Sequence, residues 1–181
     1  MTGACAFAAD APQRLNIKGV AVPPTVEIGG KQLVLNGAGL RTKLVFKVYV
    51  GALYLEAKTA RPEEIITRDQ VRRMELTFLR NVDGAAIAEA VDNGFALNAK
   101  FRKGEGAQRL AAFRKMIPDL KKGDVLAFTY LPGRGLEASR NNKSLGTVAG
   151  KDFADALYSV WVGANPADKK LRAALLGGSN D

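Results

Sequence analysis

A chain of 181 residues, 47% apolar and 25% charged, has the material for one sizeable core and reads as a single globular unit. It holds no histidine and one cysteine, Cys5, which excludes Cys/His metal clusters, Ser-His-Asp triads, Cys-His dyads and internal disulfides. The net charge of +9 comes from basic residues scattered singly and in pairs, such as Arg72-Arg73 and Lys121-Lys122, with no aromatic interleaving or RNA-binding signature, so a solvated basic surface is preferred to a nucleic-acid site.

Met1 to Asp10 is rich in small residues around Ala6-Phe7-Ala8 and reads as the end of a secretory signal. The expected organisation is a signal remnant and flexible lead over residues 1–21 and one domain over 22–178. A periplasmic location follows from this reading, with a cytoplasmic one as the alternative. No apolar stretch approaches the roughly 20 residues of a membrane helix.

Residues 26–28 and 31–35 are short β-rich runs split by Gly29-Gly30, a hairpin pattern. Asn36-Gly37-Ala38-Gly39 is expected as a second turn, followed by a long central strand over 44–55. Side chains alternate along a strand. One face of this strand is almost wholly apolar, whereas the other mixes Lys43, Lys47 and Tyr49 with Gly51, Leu53 and Leu55, a face suited to a cavity. Pro62-Glu63-Glu64 opens a short helix. Residues 71–79 form a strand. From Asp83 an amphipathic helix is expected to 101, with Ile87, Val91 and Phe95 inward, and a second helix over 106–117 buries Leu110, Phe113 and Ile117. Strands over 125–131 and 136–139 flank Pro132-Gly133-Arg134-Gly135. A loop then leads to a helix over 151–162, with Phe153, Leu157 and Trp161 on one stripe, and Pro166 begins the last helix, to 176.

Runs of strands with helices between and after them predict an α+β domain with a largely antiparallel sheet. Gly37-Ala38-Gly39 lacks a third glycine and precedes a strand, so a dinucleotide cradle is rejected and no cofactor is expected.

Arg41 and Tyr49 are eight residues apart, which on a regular strand places both on one face with Lys47 between them; a bulge would break that alternation. The helix from Asp83 carries a second stripe, Ala86, Ala90, Asn93 and Leu97, whose small residues leave space beside one amide. From spacing alone, a surface arginine and close helix packing remain the plainer readings.

The run Asn36-Gly-Ala-Gly-Leu-Arg41, followed by Phe46-Lys-Val-Tyr-Val-Gly-Ala-Leu-Tyr-Leu-Glu56, resembles the chalcone isomerase-like family, in which a Gly-x-Gly-x-Arg turn precedes a Val-Tyr-x-x-x-Leu-Tyr strand. The resemblance extends less sharply over 79–93 and 153–163. It implies an open-faced β-sandwich, a large antiparallel sheet with helices packed over it. The family contains catalytic isomerases, whose arginine stabilises an enolate, and non-catalytic fatty-acid binders, whose arginine and strand tyrosine hold a carboxylate. Arg41 matches both groups. Tyr49 stands where plant isomerases carry a threonine and matches the binders, and Ala86 falls where isomerases place a catalytic tyrosine. Asn93 matches their active-site asparagine, and Ser144 and Thr147 lie in the region of their late Ser/Thr contact. The resemblance therefore implies a small apolar anionic ligand such as a fatty acid, with Arg41, Tyr49, Lys47, Ala86, Ala90 and Asn93 as candidate binding residues. An isomerase or intramolecular lyase using Arg41, Tyr49 and Asn93 on a chalcone-like enone is the alternative, and an envelope interaction module with a vestigial cleft is a third.

Overall fold

In the computed structural model, which describes residues 14–96 and 99–178, a small hairpin, β1 (Leu15–Ile17) with β2 (Val20–Val22), comes first. The signal-like segment, Cys5 and Leu97 lie outside the described residues. The hairpin, most of it within the stretch expected as a flexible lead, buries Ile17 and Val22.

A seven-stranded sheet follows, with strands neighbouring each other in chain order and every pair antiparallel. Its members are β3 (Thr25–Ile28), β4 (Lys31–Lys43), β5 (Phe46–Leu55), β6 (Arg72–Phe78), β7 (Val125–Leu131), β8 (Gly135–Arg140) and β9 (Lys143–Val148). The helices are α1 (Pro62–Thr67), α2 (Gly84–Phe95), α3 (Gly104–Met116), α4 (Lys151–Val162) and α5 (Lys169–Leu175), with a tight helical turn at Ala99–Phe101. One cluster of buried apolar residues includes Leu53, Leu76, Phe128 and Leu136 from the strands and Phe95, Phe113, Phe153 and Trp161 from the helices. A second, including Val50, Ala52 and Tyr54, covers the opposite face with help from Ile17 and Val22. From Tyr49 on, the alternation expected along the central strand is observed, with Tyr49, Leu53 and Leu55 in one cluster and Val50, Ala52 and Tyr54 in the other; Val48 departs from it and packs with the cluster of Tyr49. The open-faced α+β sandwich is the fold.

Four local expectations are corrected. Asn36-Gly37-Ala38-Gly39 is no turn; it lies inside the continuous strand β4, and neither Gly37 nor Gly39 has positive φ. Gly37 serves close approach instead, because a Cβ there would lie 2.1 Å from the Ala174 carbonyl oxygen of α5. The chain actually turns at Leu44 and Val45, between β4 and β5. The loop expected before α4 contains β9, paired with β8 through a turn in which Asn141 and Asn142 both take positive φ (50° and 63°), the pattern of a two-residue hairpin. Helix α2 ends at Phe95, and α5 starts at Lys169, where Asp168 Oδ1 accepts from Leu171 N at 3.0 Å, a side-chain cap stronger than the Pro166 signal.

Two buried polar groups pin α4 to the sheet. The Tyr158 hydroxyl lies 2.8 Å from the carbonyl oxygens of both Arg72 and Phe128 and shares its single proton between them, bridging β6 and β7. Arg72 is fully buried; its guanidinium donates to Ile65 O, to Ile66 O at 2.6 Å and to Asp155 Oδ1 at 2.5 Å, and its Cζ lies 4.6 Å from the Tyr158 ring centroid. Breaking one partner of such a buried pair is costly because the other charge stays in low dielectric.

Candidate functional site

Arg41 and Tyr49 sit on different strands, directly opposite each other in the β4–β5 register. Their shared face comes from cross-strand pairing and not from an even spacing along one strand. A bulge beside this pair sets Thr42 opposite Lys47, leaving Val48 as the extra residue. Val48 therefore lines the same space as Tyr49, whereas Lys47 is exposed and lines neither chamber described below. Lys43 stands in that space instead.

The motif around Arg41 also clasps α5. Asn36 Nδ2 donates to Leu175 O at 2.7 Å, at the helix's C-terminal end, and Asn36 Oδ1 accepts from Thr59 N at 2.8 Å. At the other end, Arg41 Nη1 donates to Ala167 O at 2.7 Å, just before α5, and Thr42 N donates to Asp168 Oδ2 at 3.4 Å. Arg41 is half-buried, and among the described residues no carboxylate lies within ion-pair distance of it. The Ala167 carbonyl takes one of the five N–H donors of its planar fork.

Tyr49 is buried, 8% exposed, with its ring tilted at 58° against Phe78 at a centroid distance of 5.5 Å. Its hydroxyl accepts from Trp161 Nε1 at 3.0 Å. Burial raises its pKa above the ordinary 10.0, an effect that the Arg41 charge and the Trp161 hydrogen bond oppose and Asp168 reinforces. The phenol is protonated at neutral pH and, while accepting from Trp161, keeps its O–H to donate.

Two adjoining chambers open between this strand pair and α2. The outer, about 300 Å³, is bounded by Arg41, Lys43, Glu89, Asn93 and Asn165, with Ala86 and Ala90 on the helix side. The inner, about 110 Å³, is walled by Tyr49, Leu76, Phe78, Ile87, Val91 and Trp161. Arg41, Lys43, Ala86, Ala90, Val160 and Ala167 line both, so cations and small side chains mark the junction between a polar vestibule and an apolar slot. The structure brings Arg41, Tyr49, Ala86, Ala90 and Asn93 around this space. It does not bring Ser144 or Thr147 there: both are exposed on β9, beside Leu131, Arg134 and Glu137.

Trp161 was legible only as a core residue of the α4 stripe. The signal that could have marked it is chemical: a buried indole N–H needs an acceptor, this is the chain's one tryptophan, and the mixed strand face offers a phenol.

The chain belongs to the chalcone isomerase-like family, whose model matches residues 14–177. Among solved structures it is similar to a fatty-acid binding protein of Arabidopsis thaliana, at 18% identity over 87% of this chain and 92% of that one, with a TM-score of 0.70; at that identity the likeness concerns the fold. Among curated proteins none matches the chain.

Proposed function

We propose that this protein binds a fatty acid or similar apolar carboxylate without catalysis, with the head group on Arg41 and Tyr49. The observation that carries the reading is the cross-strand Arg41–Tyr49 pair at the point where a polar vestibule meets an apolar slot. A carboxylate there accepts charge-assisted hydrogen bonds from Arg41, roughly twice as strong as neutral ones, and one from the protonated Tyr49 hydroxyl. The alkyl chain takes the apolar slot, each buried methylene contributing about 0.8 kcal/mol. The inner chamber is smaller than the roughly 300–1,000 Å³ of common ligand pockets, so a long chain runs partly along the Ala86/Ala90 face. The fatty-acid-binding role of the Arabidopsis protein of similar fold supports this choice of ligand.

A catalytic alternative has one observation in its favour: Arg41 and Asn93 line the same outer chamber. Against general-base chemistry stands the raised pKa of Tyr49. Mass spectrometry of gently purified protein, with calorimetric titration of fatty acids, decides the matter. Co-purifying acids and saturable binding are expected; their joint absence sinks the proposal, and chalcone consumption above the uncatalysed rate replaces it with the isomerase reading.

A further inference from the structure

The turn between β4 and β5 presents the most exposed large apolar side chains among the described residues: Leu44 is 88% exposed, Val45 84% and Phe46 53%. Leu44 holds φ at 56°, a conformation that hairpin turns ordinarily give to Gly, Asn or Asp. A polar turn residue would relieve the backbone and the exposure together, so an apolar tip here costs the free protein twice.

Cations surround the tip. Lys43 and Lys47 flank it and are exposed, and the exposed Arg80 places its guanidinium carbon 4.6 Å from the Phe46 ring centroid. Residues 31–55 contain no Asp or Glu. Two carboxylates touch this segment: Asp168, which accepts from Thr42 N and caps α5, and Glu56, which pairs with Lys31 at the end away from the tip.

We propose that the Leu44-Val45-Phe46 tip docks on the surface of an anionic lipid bilayer. The three apolar side chains enter the acyl boundary while Lys43, Lys47 and Arg80 meet headgroup phosphates, the pairing of apolar insertion with basic flanks that holds peripheral proteins at such surfaces. A second copy of the chain is a poorer occupant, since three side chains fall far short of the roughly 1,200–2,000 Å² that a stable protein interface buries. Lys43 lines both chambers and Val48 the inner one, so the docked tip adjoins the cleft.

The docking proposal stands apart from the ligand reading, because its test needs no fatty acid. The full chain is sedimented with phosphatidylcholine vesicles prepared with and without phosphatidylglycerol, at low and high salt. Pelleting is expected with the anionic vesicles and should weaken as salt rises. Leu44→Asp with Val45→Asp should lower the partition coefficient at least about tenfold, given the transfer free energy of two aliphatic side chains, with an unchanged thermal midpoint. Leu44→Gly with Val45→Ser, which removes the positive-φ strain and so guards against a folding artefact, should lose binding similarly. Lys47→Glu with Arg80→Glu should abolish the preference for anionic vesicles. Failure to pellet with either vesicle, pelleting indifferent to the tip variants, or tip-dependent dimerisation in sedimentation velocity without vesicle binding would each overturn the proposal.

Discussion

Arg41 and Tyr49 face each other across the β4–β5 ladder, and each is held by a different structural element: Arg41 by the Ala167 carbonyl before α5, Tyr49 by the Trp161 indole of α4. A carboxylate seated between them would therefore touch groups positioned by two strands and two helices. Arg41→Ala should weaken fatty-acid binding by about 1.5–3 kcal/mol, the range of a hydrogen bond to a charged group, and lower stability by about 1 kcal/mol through the lost Ala167 contact. Calorimetry and chemical denaturation read the two effects separately, and a larger loss of stability than of affinity would contradict the assigned role.

Removing the phenol oxygen leaves a buried donor unsatisfied. Tyr49→Phe should cost about 1–3 kcal/mol of unfolding free energy because Trp161 Nε1 then has no acceptor. Trp161→Phe in the same chain should recover part of that loss, a coupling that a double-mutant cycle measures directly.

Filling the space should separate binding from folding. Ala90→Phe projects a ring towards the junction of the two chambers, and fatty-acid affinity should fall at least tenfold, about 1.4 kcal/mol. Stability should change by less than about 1.5 kcal/mol, as for a substitution into open volume. Ligand titration and thermal melts of one preparation supply both readings.

Gly37→Ala should be among the most damaging single-carbon additions in the sheet. The new Cβ meets the Ala174 carbonyl at 2.1 Å and the Leu175 carbonyl at 2.8 Å, both backbone, so neither can rotate away. A loss of about 1–3 kcal/mol is expected, with faster amide exchange along α5.

Acid sensitivity should trace in part to Asp152. The hydrogen bonds from Arg109, at 2.9 Å to each carboxylate oxygen, hold its pKa below the ordinary 3.8 despite opposing desolvation. Because the folded value is depressed, the contribution is fully present above the ordinary carboxylate value and is lost as pH falls below it. Arg109→Met should flatten the decline of stability below that value and leave its slope near neutrality unchanged, as urea denaturation at a series of pH values would register.

Helix α4 was legible in the sequence to the residue, because Gly150 and Gly163 bracket a regular apolar stripe, and the Gly29-Gly30 hairpin was legible for the same local reason. What escaped were features decided across the chain. Gly37 and Gly39 read as a turn because glycine permits positive φ, yet the packing of a helix more than a hundred residues away is what Gly37 serves. Asn141-Asn142 read as a loop because β9 is short and half-exposed, with little apolar alternation to announce it. At the site, the pairing of Arg41 with Tyr49 was anticipated but its route was not: the turn at Leu44-Val45 made two strands out of one, and the bulge turned Lys47 away while admitting Val48. Trp161 escaped as a site residue because a buried tryptophan on a helix stripe is indistinguishable in sequence from ordinary core.

The anchoring of α4 makes the cleft a vice with one fixed jaw. Tyr158 and Arg72 fasten α4 to the middle of the sheet. Opposite it, α2 is tied by polar contacts at its start, where Gly84 N donates to Asp119 Oδ1 at 2.8 Å, and by Asp92 accepting from Arg114 Nε at 2.7 Å on α3. If the proposed alkyl guest occupies the slot, one too long for it would have to displace α2 and strain these ties, so affinity along a homologous series should fall beyond the length that fits without that movement.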